Sequence, residues 1–196
     1  MKHILTILLL LSFLMPHSGV KKCDLSLEHN LRYPRPDLHT YCDSPSGNFR
    51  VHYDTYGDDA PDMSDTDGDG CPDYIEAVGE TADYVRLVIT DMMGFNQEAP
   101  DDNGIYDIYI EDMSYLYYGV NHAADTFDDG TSYCSNWNGN YCTNVNWNGY
   151  TGRESFLIID NAYEASDFET TGIEGMQITL AHEFFHAVQR TYPNNV

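Results

Sequence analysis

Apolar residues recur along this chain with two different periods, and the places where the period changes divide it into elements. Ile75, Val78, Ala82, Val85, Val88, Ile89 and Met92 are spaced by three and four, which predicts an amphipathic helix over residues 74–93 ended by Gly94. The same spacing returns late in the chain. Ile173, Met176, Leu180, Phe184 and Val188 form the packing stripe of a second helix over residues 173–189, with a capping-box pair at Thr171 and Glu174 and a stop at Pro193. Elsewhere the period is two, or there is none. Phe49, Val51 and Tyr53 alternate with Arg50, His52 and Asp54, as in a strand with one buried face. Residues 105–110 are rich in Ile and Tyr, and Ser155 to Ile159 is a short apolar run suited to a buried or an edge strand.

The intervals are built of breakers. Pro34, Pro36, Pro45, Gly47, Gly57 and Pro61 make residues 21–64 a leading segment with a single strand, and residues around Tyr115, Tyr117, Tyr118 and His122 read as a loop. Between Ala124 and Gly152 turn follows turn, with Asn136-Trp137-Asn138-Gly139 echoed by Asn146-Trp147-Asn148-Gly149, so hairpins are expected. Trp137 and Trp147 are candidates for a cleft wall facing substrate, or ordinary residues of those hairpins. A few strands with two amphipathic helices predict an α+β fold: a small mixed sheet backed by both helices.

The first residues change the picture of where the chain works. Lys2 and His3 precede an apolar run from Ile4 to Met15, followed by Pro16, Ser18 and Gly19, the layout of a secretory signal peptide over residues 1–20. The run is too short to span a membrane, which takes about 20 residues. A secreted protein, extracellular or periplasmic and free of the membrane once the signal is removed, is expected. The formal net charge of −23, from 9 Lys plus Arg against 32 Asp plus Glu, excludes nucleic acid and anionic membrane surfaces as partners. Five cysteines in a secreted chain suggest disulfides. The best pair is Cys134 with Cys142 across a short turn-rich loop, and Cys23 with Cys42 is the second, leaving Cys71 over or paired beyond this sequence.

Two motifs carry chemistry. From Asp65, residues 65–76 place Asp65, Asp67 and Asp69 at positions one, three and five, Gly70 at six, Asp73 at nine and Glu76 at twelve, the ligand register of an EF-hand loop. Hard oxygen donors at alternate positions wrap one Ca2+, Gly70 permits the sharp turn, and Cys71 would offer its backbone carbonyl. Pro72 cannot donate a backbone hydrogen bond and no helix precedes Asp65, so a loop with an exiting helix only is expected, resembling dockerin and thrombospondin type 3 loops. Its expected role is a structural clamp.

The second motif is His182-Glu183-Phe184-Phe185-His186, inside the second helix. Residues four apart share a helix face, so both imidazoles can ligate one Zn2+, with Glu183 as the base that deprotonates water. Leu180 to Ala187 resembles the active-site helix of the zincin metalloproteases, and with the signal peptide and the acidic loop the chain resembles secreted bacterial metalloproteases of gluzincin type. The resemblance implies that His182 and His186 bind zinc, that Glu183 is catalytic in hydrolysis of a protein or peptide substrate, and that residues 77–196 are the N-terminal part of a catalytic domain.

A metzincin would continue with Gly three residues after His186 and then a third His; Gln189 and Tyr192 stand there instead. A gluzincin takes its third ligand from a Glu on a later helix, and no His, Asp or Glu follows His186, so the sequence is expected to be a truncated one. The alternatives are an upstream third ligand such as His122, Glu164 or Asp167, or a degenerate homologue. The rival function is a non-enzymatic calcium-dependent adhesion or glycan-binding module using the acidic loop and the two tryptophans.

Overall fold

The computed structural model describes residues 35–99, 103–113, 117–123, 146–147, 150–151, 154–164 and 166–192. The signal peptide, Pro34, Cys23, Cys134, Cys142, Trp137 and Pro193 lie outside the described residues.

The alternation at residues 49–53 becomes strand β2 (Phe49–Tyr53), with Phe49, Val51 and Tyr53 buried and Arg50 and His52 on the other face. It has a partner that the breakers concealed. Strand β1 (Thr40–Asp43) runs antiparallel to β2 as the outermost described strand on that side, so the described part of the leading segment holds two strands where one was expected. The Ile/Tyr run forms β3 (Tyr106–Glu111), and β4 (Gly119–Ala123) occupies what read as a loop. Two-residue strands β5 (Asn146–Trp147) and β6 (Tyr150–Thr151) pair antiparallel as a hairpin, and β7 (Ser155–Asp160) is buried along its whole length.

The five-stranded sheet has the order β1-β2-β3-β7-β4. Pairing is parallel in the centre, β2 with β3 and β3 with β7, and antiparallel at both edges. β7 is therefore an interior strand, which explains its unbroken apolar run.

Helices α1 (Asp73–Arg86) and α2 (Gly172–Gln189) cover one face of this sheet. Phe49, Val51, Ile108, Ile110, Leu157 and Ile159 meet Val78, Ala82, Met176, Leu180, Phe184 and Val188 in one core. The fold is α+β as expected, a mixed sheet backed by two helices. On the other face Tyr109, Phe156 and Ile158 form a smaller cluster with Leu38, and Arg35 lies over the Phe156 ring while pairing with Asp107 and Glu154.

Both helices depart from the pattern at one end. The first does not continue as α-helix to residue 93: after Arg86 it widens into a π-helical stretch, Leu87–Met92, in which the Met93 amide donates to the Val88 carbonyl at 3.0 Å. Thr90 Oγ1 donates to the Arg86 carbonyl at 2.8 Å, a back-bond that competes with the α ladder. The wider turn rotates the stripe, so Ile89 stays buried while Met92 is 66% exposed. Gly94 ends the segment at φ 78°, a conformation that costs glycine little. In α2, Thr171 is the N-cap residue but makes no side-chain cap bond; instead the Gly172 amide donates to the Tyr163 carbonyl at 3.0 Å. Ile173, expected on the stripe, is 44% exposed.

Candidate metal centre

The site begins with what fixes the roll of α2. Phe184 is fully buried, edge-on to Phe49 at 5.5 Å and to Tyr106 at 5.9 Å between ring centroids. At about 100° per residue, positions two before and two after Phe184 fall on the opposite side of the helix. His182 is accordingly exposed and His186 half-buried, both turned away from Phe184. Glu183 lies between these faces and is buried.

A second set of contacts fixes the distance from α2 to the edge strand. Gly119 of β4 has no side chain, and a Cβ there would stand 2.6 Å from the Thr179 methyl carbon, so helix and strand approach as only glycine allows. Further along, Arg190 Nε donates to Asn121 Oδ1 at 2.6 Å and a terminal guanidinium nitrogen to the Asn121 carbonyl at 3.1 Å. Asn121 in turn donates to the Tyr106 hydroxyl at 3.0 Å and to Ser155 Oγ at 3.2 Å, beneath the helix. Thr179, Glu183 and Arg190 thus share the flank of α2 turned to β4.

The ligand atoms of His182, Glu183 and His186 all lie within 4.8 Å of one another, a candidate metal-binding group. The Nε2 atoms of the two imidazoles are 3.2 Å apart. Two nitrogens at about 2.0–2.1 Å from a tetrahedral zinc stand about 3.3 Å apart, so the donor pair fits that ion. Desolvation lowers the pKa of both rings, and for His186 the neighbouring Arg190 and His182 act the same way against the bond to Gln189. Both shifts favour the neutral ring, the form that binds a metal.

His122 does not join them. It lies in register with Phe156, and side chains paired across antiparallel strands share a face, so it points to the side of the sheet away from the helices. There it is buried against Phe156, and burial with the Arg190 charge lowers its pKa to about 4. Glu164 and Asp167 are likewise absent from the converging group.

The acidic loop supplies a second candidate group. Asp65, Asp67 and Asp69 bring carboxylate oxygens within 4.8 Å of one another, all three exposed. The Gly68 and Gly70 amides donate to Asp65, the Asp69 amide to Asp67 and the Cys71 amide to Asp69, over 2.7–3.1 Å. Asp73, in the first turn of α1, stands outside the triad and accepts from the Thr66 amide at 2.8 Å and the Thr66 hydroxyl at 2.6 Å. Glu76 is outside it too, its pKa raised by desolvation and by Asp67, Asp69 and Asp73 nearby.

Cys71 is bonded to Cys42, not left over, which excludes the expected pair Cys23 with Cys42. Sequence spacing could not find this bond because β1 was not legible. Such a bridge suits an oxidising compartment. No helix among the described residues is long and apolar enough to cross a membrane.

Asn121, Gln189 and Arg190 escaped the sequence reading. Gln189 had a usable signal, lying three residues beyond His186, whereas the other two meet only through β4. Comparison of the chain with protein-family models, with curated proteins and with solved structures returned no match.

Proposed function

We propose that this chain carries the zinc-binding helix of a secreted metallopeptidase, with His182 and His186 as metal ligands, Glu183 as general base and the loop of residues 65–76 as a calcium clamp. The observation that carries it is the 3.2 Å separation of the two Nε2 atoms with the Glu183 carboxylate beside them.

Bound zinc supplies Lewis-acid polarisation of a carbonyl and a lowered pKa for water. Glu183 takes the proton from water attacking a peptide carbonyl and returns it to the leaving amine. Its side chain is buried, one residue before the core ring of Phe184. Among the described residues strand β4 is the outermost strand beside this flank, where an extended peptide can add as a further strand and present its carbonyls in register. The reading requires a third protein ligand, which a catalytic zinc normally has. In the acidic loop, Asp65, Asp67, Asp69, Asp73, Glu76 and the Cys71 carbonyl are the proposed calcium ligands, a role that suits a module exposed to extracellular calcium.

In the protein expressed from its complete reading frame, Glu183→Ala is expected to cut peptide hydrolysis by about 10²–10⁴-fold while zinc content stays at one equivalent. Unchanged hydrolysis would refute the assignment. A purified protein that holds calcium but no zinc would favour an adhesion or glycan-binding module.

A further inference from the structure

We propose that Gln189 is a positioning residue for the metal group, holding His186 in the tautomer and ring orientation that leave Nε2 free to ligate. The proposal rests on the zinc reading above. Gln189 is the last residue of α2, three positions beyond His186 and therefore on the same face. Its Oε1 lies 2.8 Å from His186 Nδ1. An amide oxygen only accepts, so Nδ1 carries the proton and the lone pair of the neutral ring falls on Nε2, the atom that meets His182. The other tautomer would aim an N–H at the place where a cation must sit.

The turn that carries Gln189 is itself pinned. The Arg190 amide donates to the His186 carbonyl at 3.1 Å and the Thr191 amide to the Val188 carbonyl at 3.0 Å. Buried Thr191 adds a hydroxyl bond to the same Val188 carbonyl at 2.7 Å, and the Arg190 side chain reaches Asn121 of β4. Gln189 thus accepts from His186 on a backbone locked at the helix end. An imidazole whose far nitrogen is hydrogen-bonded loses less rotational freedom on ligation and is a more basic ligand.

Zinc titration against a chromophoric chelator of the full chain tests this, with His186→Ala, Gln189→Leu and Gln189→Glu compared with wild type. Gln189→Leu, which removes the acceptor at similar size, is expected to weaken zinc about 10- to 100-fold. Gln189→Glu keeps an acceptor and is expected to bind at least as tightly as wild type. The metal-free melting midpoints of both variants should match wild type, since Gln189 is exposed. With cobalt as the probe, Gln189→Leu should change the visible absorption bands and Gln189→Glu should preserve them. Wild-type affinity in Gln189→Leu overturns the proposal, as does an equal loss in both variants. Zinc binding that His186→Ala leaves intact overturns the zinc reading itself, and the role of Gln189 with it.

Discussion

His122 and Glu98 are buried titratable side chains outside the metal group, and burial moves them in opposite senses. The folded chain holds His122 neutral down to about pH 4, while the unfolded chain takes up that proton near 6.5. Its contribution to stability is therefore complete above 6.5 and is lost as pH falls to about 4, a change of about 3 kcal/mol. Glu98 is 2% exposed and its pKa is raised by burial to about 7, despite the Arg86 guanidinium 3.1 Å away. The folded state keeps its proton where the unfolded chain has released it, so this residue costs stability as pH rises from about 4.5 to 7. The two slopes oppose each other. Urea midpoints across pH 4 to 7 should rise more steeply with pH in Glu98→Gln than in wild type, and less steeply in His122→Gln. Three parallel profiles would show that burial of these groups is not what sets the pH response. At the same scale, one carboxylate organises the approach to α2: Asp160 accepts from the Ala162, Tyr163 and Met113 amides, and Tyr163 sits at φ 53° with its carbonyl receiving the start of the helix.

Among elements, the pairing of α2 with β4 matters most, because it sets the gap between the metal group and the sheet edge. Two contacts hold it: the Gly119–Thr179 approach and the Arg190–Asn121 bonds. Gly119→Val would push against Thr179 and the Ile158 carbonyl, 3.1 Å from a Cβ at this position. Overpacking of this kind costs about 1–3 kcal/mol, so the melting midpoint should fall. On the proposed metallopeptidase reading, displacement of β4 should also weaken cleavage of extended peptides more than it weakens zinc binding. Equal losses in both would mean that the strand does not contact substrate.

At the scale of the whole molecule, the Cys42–Cys71 bond closes a segment with a sequence separation of 29 and ties the acidic loop to the outer strand β1. Cross-linking at that separation stabilises by about 3–4 kcal/mol through the unfolded chain. The double variant Cys42→Ser with Cys71→Ser is expected to lose about that amount in chemical denaturation. A loss under about 1 kcal/mol would mean that residual structure in the unfolded chain already brings β1 and the loop together.

Periodicity by itself determined both helices and strand β2, and a continuous apolar run determined β7, which together give the α+β class, because these segments carry enough apolar residues to commit locally. Residue identity at short spacing determined the His-Glu-x-x-His motif and the acidic loop, since both are local: four residues make one helical turn, and alternate residues make one ligand face. What it could not reach depends on partners distant in sequence. β1 and β4 are short strands with little apolar content, and they exist because β2 and β7 offer edges to pair with. The π-helical turn, the disulfide partner of Cys71 and the face on which His122 lies follow from packing and register. The sequence alone thus names two imidazoles and a carboxylate. Only the tertiary structure turns them away from a buried Phe184 and sets the outermost described strand beside their helix, because roll and approach come from contacts with the sheet.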